Sequence, residues 1–263
     1  MYCVIDLSAG ANAESYPVTY LAEPPSGGFN KDEYKTTKLV LRLIDPGTFI
    51  LGEDQTDETH RVTLTYPFYC GIFEVTQKQY ELVKGTNPSY WSGNKRPVEQ
   101  VSYDSAISFA RKLLNRTGRD FDLPTEAQWE YACRAGTTTT YYWGNTLDRN
   151  YFSWHSQGTL WNTSSVGGHL PNAWGLYDMV DNVSEWCLDW NGHSPNNYWM
   201  PSDASYGTNP KGPESGSMRV VRGGNWDVDT NEFETWFASS ARDGGFPSYE
   251  YDWVGFRLVL MAY

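Results

Sequence analysis

The chain has 263 residues, a formal net charge of −12 and charged residues at 20%. It holds no apolar run near the roughly 20 residues that cross a bilayer. An acidic balance without a basic stripe argues against nucleic acid and anionic membrane surfaces as partners, and the length admits one large domain or two small ones.

Aromatic residues reach 16%, with 12 Trp and 19 Tyr, so the core is built from large rings whose polar edges need partners when buried. Many Gly and Pro residues and few long periodic stretches point to a loop-rich α+β protein. Cys3, Cys70, Cys133 and Cys187 are far apart, and His60, His155, His169 and His193 are scattered, so no zinc spacing appears. Disulfides and buried thiols both fit the cysteines. The first residues, MYCVIDLSAG, lack the basic start and apolar run of a signal peptide, which leaves the compartment open.

Residues 1–36 are rich in Ser, Pro, Gly and Glu, and read as an N-terminal arm whose few apolar residues dock on a domain spanning 37–263. Lys38–Leu51 alternates and breaks at Asp45-Pro46-Gly47, predicting a hairpin or two strands around a turn. Arg61–Phe73 reads as a further strand pair. Thr76 caps a short helix to about Lys84, with Tyr80 and Val83 inward. Ser102 opens a second helix to about Arg116, with Ile107, Ala110, Leu113 and Leu114 on one face and Gly118 past its end. Thr125 and Gln128 have capping-box spacing for a third helix, in which Trp129, Ala132 and Cys133 share a buried face and Gly136 is the stop. Between 137 and 175, Tyr141, Tyr142, Trp143, Trp154, Trp161 and Trp174 stand among small polar residues, as in loops pinned by aromatic plugs.

Gly175–Trp190, GLYDMVDNVSEWCLDW, crowds Asp178, Asp181, Asn182, Glu185 and Asp189 among apolar residues in neither a helical nor a strand period. Unpaired buried charge is costly, and two readings answer it. In one, the polar groups satisfy backbone N–H groups while the Trp side chains plug the core. In the other, Asp178 and Glu185 supply oxygens to a hard cation, and backbone carbonyls between them complete the shell, as Ca²⁺ prefers.

From Arg219 onward, RVVRGGNW and VGFRLVLMAY are short β-like runs around two stretches without period, DVDTNEFETWFASS and DGGFPSYEYDWV. Large rings with polar edges, beside small adaptable polar residues, are what binding surfaces use. Trp226, Trp236 and Phe256 read as core. Asp227, Asp229, Asp243, Phe246, Tyr249, Tyr251 and Asp252 read as solvent-facing ligand contacts.

Several blocks, in order, resemble the formylglycine-generating-enzyme family, a branch of the C-type lectin fold. They are DPGTFILGE (Asp45–Glu53), FEVTQKQY (Phe73–Tyr80), RPVEQVSYDSA (Arg96–Ala106) and LPTEAQWEYACRAG (Leu123–Gly136). GLYDMVDNVSEW (Gly175–Trp186), RVVRGGNW (Arg219–Trp226) and GFRLV (Gly255–Val259) complete the set. The resemblance implies one α+β domain of that fold. It also implies a structural Ca²⁺ on the Asp178 and Glu185 side chains and the main-chain oxygens of Met179, Asp181 and Val183, with Asp181 standing where the family usually has Gly. The family's oxidase chemistry uses two cysteines shortly after the RGG motif, and thiolate does what hydroxyls and carboxylates do not. Asn225–Arg242 holds no cysteine, so the chain reads as a non-enzyme without a redox cofactor.

The same C-terminal segment, about residues 225–254, looks like the variable proteins of diversity-generating retroelements, in which Asn codons are altered at their adenines. On that resemblance Asp227, Val228, Asp229, Phe237, Asp243, Phe246, Ser248, Tyr249, Tyr251 and Asp252 form the changeable, ligand-contacting set. Glu232, Glu234, Trp236, Glu250 and Trp253 lie outside what such codons reach and belong to the framework. The implied protein is an exported, receptor-like or adhesin-like display protein of a bacterial surface, with a lipid anchor before or at its N-terminus. Its partner would be a protein or glycan on another cell, and an acidic patch favours basic or neutral targets. A formylglycine-type oxidoreductase and a lectin using Ca²⁺ directly stand as alternatives.

Overall fold

The structure, a computed structural model, describes residues 1–152, 162–194, 197–201, 205–228 and 233–262. The chain opens with β1 (Tyr2–Asp6), β2 (Val18–Leu21), β3 (Lys38–Ile44), β4 (Gly47–Ile50), β5 (Arg61–Leu64) and β6 (Phe68–Gly71). Helices α1 (Gln77–Lys84) and α2 (Tyr103–Thr117), the short β7 (Phe121–Asp122) and α3 (Glu126–Arg134) follow. Then come β8 (Ser184–Trp190), β9 (His193–Ser194), β10 (Asn197–Pro201), β11 (Gly207–Thr208) and β12 (Arg219–Arg222). The single turn α4 (Phe233–Trp236), β13 (Arg242–Gly245), β14 (Val254–Gly255) and β15 (Val259–Met261) complete it.

The three longer helices start where their caps dictate. Thr76 and Gln79 form a reciprocal capping box on α1, Thr125 and Gln128 one on α3, and Ser102 accepts from the Ser105 N–H on α2. Gly85 and Gly118 end α1 and α2 in the left-handed region, whereas Ala135 takes that role after α3. Tyr80 and Val83 point inward as expected. On α2 the buried stripe is Ala106, Phe109, Ala110 and Leu113, while Leu114 is exposed, so the packed face lies about one position from that expected.

The main sheet has the order β2-β1-β3-β6-β15-β7. Residues 1–36 are therefore no arm: β1 is an inner strand paired to both β2 and β3, and Cys3, Ile5 and Leu7 are fully buried. The run YCVIDL carried that signal, masked by the turn-rich residues after it. β3 and β4 are the expected two strands around a turn rather than a hairpin, because Asp45-Pro46 sends β4 into a second sheet, β11-β5-β4.

The main sheet is packed on both faces. α1 and α2 meet it through Val83, Phe109 and Leu113, against Leu39, Leu41, Tyr69 and Leu260. On the other face Val40, Ile44, Phe68 and Val259 join Trp129 of α3, Leu176 and Met179. A third sheet, β13-β12-β8-β14, sends Trp186 and Val221 into the first cluster and Cys187 and Val220 into the second. This sheet carries the C-terminal segment. Its strand β13, RDGG, has no strand signal of its own and forms because it lies antiparallel to β12, Arg222 opposite Arg242.

Candidate ligand-binding surface

Three buried arginines fix the C-terminal segment: Arg222 at 1%, Arg242 at 5% and Arg257 at 0% exposure. Each meets a buried glutamate. Arg222 pairs with Glu130 and donates to the carbonyls of Ser240 and Ala241. Arg242 grips Glu126 at 2.7 and 3.2 Å, and Arg257 straddles Glu185 at 2.6–2.9 Å. Glu126 and Glu130 lie one turn apart on α3, so that helix serves the two arginines that bracket residues 223–241. Burial pushes the Glu126 carboxyl up, but Arg242 and then Arg222 outweigh it and hold it below the usual carboxylate range. Burial would lower Arg257, yet Glu185 more than reverses this and raises it.

After Arg222 the chain turns through Gly223 and Gly224, both at positive φ, and a Cβ on Gly224 would stand 2.8 Å from the Trp236 carbonyl oxygen. Trp226 is then laid into the protein, its indole N–H donating to the Asp252 carbonyl at 3.0 Å. The second stretch makes a turn held from several sides. The N–H groups of Tyr103 and Gln100 donate to the carbonyls of Pro247 and Tyr251, and the Phe246 N–H donates to the Tyr251 hydroxyl. From this turn the rings of Phe246, Tyr249, Tyr251 and Trp253 form a continuous row, with successive centroids 5.2, 6.0 and 4.7 Å apart. The row is rooted on buried Trp186, 6.2 Å from Tyr251.

Phe246 is 45% and Tyr249 57% exposed, and Asp227 and Ser248 also face solvent. Asp243, Tyr251 and Asp252 are half-buried, and Asp229 lies outside the described residues, as does Glu232. Two expected contact residues are core instead. Val228 is 8% exposed, and Phe237, at 1%, packs edge-on against Phe152 at 5.0 Å. A codon's reach says nothing about burial, which is why they were misplaced. Trp226 and Phe256 are buried as expected, and Trp236 is half-buried against the core. The sequence does not single out Tyr90 and Trp91, of which Trp91 lies edge-on to Trp226 and Tyr90 edge-on to Trp91. Two adjacent aromatics in the turn-rich NPSYWSG were the only signal.

In Gly175–Trp190 the first reading describes Asp178 and the buried Trp186, whereas Glu185 meets partners that neither reading named. Asp178 accepts from the Gly167 N–H, while Glu185 accepts from the Trp129 indole at 2.8 Å as well as from Arg257. Arg257 also donates to the Asp178 carbonyl at 3.2 Å. Ca²⁺ takes about six to eight oxygens. Here both Glu185 oxygens already serve Arg257, and among the described residues no three His, Cys, Asp or Glu side chains are set to hold a metal. The residues Asp178, Met179, Asp181, Val183 and Glu185, so arranged, do not fit a calcium shell. Burial works against the remaining charge: it pushes Asp178 up to about 6 and raises Glu74, and burial, then Glu126, pushes Asp189 up to about 7. Asp181 takes φ 71, the left-handed backbone that the glycine usual at this position adopts freely.

All four cysteines are free and buried. Burial pushes Cys3 up to about 11 and Cys70 and Cys133 up to about 12, and raises Cys187 strongly, so each stays an unreactive thiol at neutral pH.

The profile of the sulfatase-modifying factor enzyme 1-like domain matches residues 26–262. The chain is 30% identical to a chaperone protein LppX of Paenibacillus barcinonensis, over 74% of this chain and 81% of that one. It is also 30% identical to the formylglycine-generating enzyme of Mus musculus, over 67% of this chain but 47% of the enzyme. Among solved structures, Treponema denticola variable protein 1 matches with a TM-score of 0.71 and 29% identity, covering 86% of this chain and 96% of that one. PvdO from Pseudomonas aeruginosa matches with a TM-score of 0.68 and 25% identity, covering 92% and 100%. With its blocks in family order, its short helices and its many strands, the chain belongs to the sulfatase-modifying factor enzyme 1-like family and has the α+β C-type lectin fold of the formylglycine-generating-enzyme type, in the form also taken by a variable protein.

Proposed function

We propose that this chain is a display protein that binds a protein or glycan on another cell through its C-terminal segment, and that exchange of side chains in that segment changes the partner. The observation that carries this reading is the exposed Phe246–Tyr249 pair, on a turn hydrogen-bonded to Gln100 and Tyr103 and bounded by buried arginine clamps. Ordered aromatic surface loses little entropy on association and suits recognition. Similarity to Treponema denticola variable protein 1 supports the diversified character. The absence of cysteine beyond Cys187 supports binding rather than oxidase chemistry, although relatives bear the name of an enzyme.

Sequencing the encoding locus from independent isolates tests it. Substitutions should concentrate at Asp227, Asp243, Phe246, Ser248, Tyr249, Tyr251 and Asp252 and spare Arg222, Arg242 and Arg257, beside a reverse transcriptase and a near-copy of the segment. Even spread along the chain sinks the reading, and copper- and oxygen-dependent turnover of a cysteine peptide would establish the enzyme instead.

A further inference from the structure

Beside the C-terminal segment stands a second aromatic edge from a distant part of the chain. Residues 87–99 form a loop closed over two buried polar side chains. Gln77, 1% exposed, donates to the carbonyls of Trp91 and Pro97 and accepts from Asn87 and Gly93. Glu99, fully buried, accepts from the N–H groups of Tyr90 at 3.1 Å and Trp91 at 2.8 Å. So braced, the loop holds Tyr90 with 65% of its surface in water, its ring edge-on to Trp91 at 4.7 Å. Trp91 in turn meets Trp226 edge-on at 5.6 Å, and Trp226 is tied to Asp252. No core requirement places Tyr90 there. The rim is acidic: Asp227 follows Trp226, and burial, then Asp252, raises its carboxyl. Glu99 is raised chiefly by burial, with Asp252 adding to it.

Resting on the display reading, we infer that Tyr90 and Trp91 form a fixed lip of the binding surface, which seats an arginine or lysine side chain of a partner protein between the Tyr90 ring and the Asp227–Asp252 rim. An aromatic face beside carboxylates attracts a cation by both ring quadrupole and charge, and a protein of net charge −12 brings basic partners close before contact. Since the lip lies outside residues 225–254, exchange of that segment leaves it in place. Every variant then keeps the Tyr90 face, while Asp227 and Asp252, which belong to the changeable set, add the charge that favours a basic side chain in this one.

The test uses the whole chain and a short fluorescent peptide of alternating arginine and glycine, with a glutamate–glycine peptide as control. The arginine peptide should bind and the control should not. Tyr90→Ala should weaken binding about fivefold and Tyr90→Phe should retain it, both with unchanged melting temperature. Asp252→Asn should weaken it as well. Equal affinity for Tyr90→Ala, no binding of the arginine peptide, or a fall in melting temperature marking Tyr90 as a packing residue would overturn the lip. If Tyr249→Ala weakens binding while Tyr90→Ala does not, the lip fails and the segment's role stands. If neither does, the segment fails with it for this class of ligand.

Discussion

The two ends of the C-terminal sheet solve opposite problems with different kinds of residue. At the buried end, Arg222, Arg242 and Arg257 meet Glu130, Glu126 and Glu185 out of water, where a lost partner leaves an uncompensated charge. At the exposed end, Phe246, Tyr249 and Asp227 face water and carry little of the fold. Tolerance of change thus follows from where charge is neutralised. The clamps stand before, between and after residues 223–241 and 243–256, so a substitution between them meets a boundary already fixed by charge.

Breaking a clamp should have the largest effect. Glu185→Ala strands Arg257 and the Trp129 indole in the core and should cost about 3–5 kcal/mol in urea unfolding, with binding lost only through unfolding. A loss under about 1 kcal/mol would mean that the pair is not what fixes the segment. Gly224→Ala should come next, at about 2 kcal/mol, from its left-handed backbone and the contact with Trp236.

The pH dependence sharpens the contrast. Asp189 has a folded pKa raised from 3.8 to about 7, so the folded state binds the extra proton and stability falls as pH rises between those values. Asp178, raised to about 6, acts in the same sense, whereas the depressed Glu126 opposes it only in acid, through its own titration. Unfolding at pH 5.5 should need about 1–2 kcal/mol more than at pH 7.5, and Asp189→Asn should flatten the difference. A profile unchanged in that variant would assign the effect elsewhere. Smallest of all, Tyr249→Ala should change stability by less than about 0.5 kcal/mol while reducing ligand binding. Tyr251→Ala is a poorer probe, because that ring rests on Trp186 and its hydroxyl holds the Phe246 N–H.

The helices were legible in the sequence because Thr76, Ser102 and Thr125 mark their own starts through local hydrogen bonds. The clamps were not, for Glu126 and Glu130 sit in an ordinary helical run and their arginines lie some hundred residues on, at separations of 116 and 92. The exposed Phe246 and Tyr249 were read correctly as solvent-facing, whereas Phe237 and Val228 were not, since no periodicity separates a ring that fills the core from one that leaves it. β1 was hidden by its neighbours, and β13 exists only through its partner strand.

Several of the bonds that hold the outer turn end on peptide groups: the indole of Trp226 on the carbonyl of Asp252, the amides of Tyr103 and Gln100 on the carbonyls of Pro247 and Tyr251. An amide or carbonyl is the same whichever amino acid supplies it. These particular bonds are therefore indifferent to the side chains at Pro247, Tyr251 and Asp252, and a turn held by them owes that part of its shape to the course of the backbone alone.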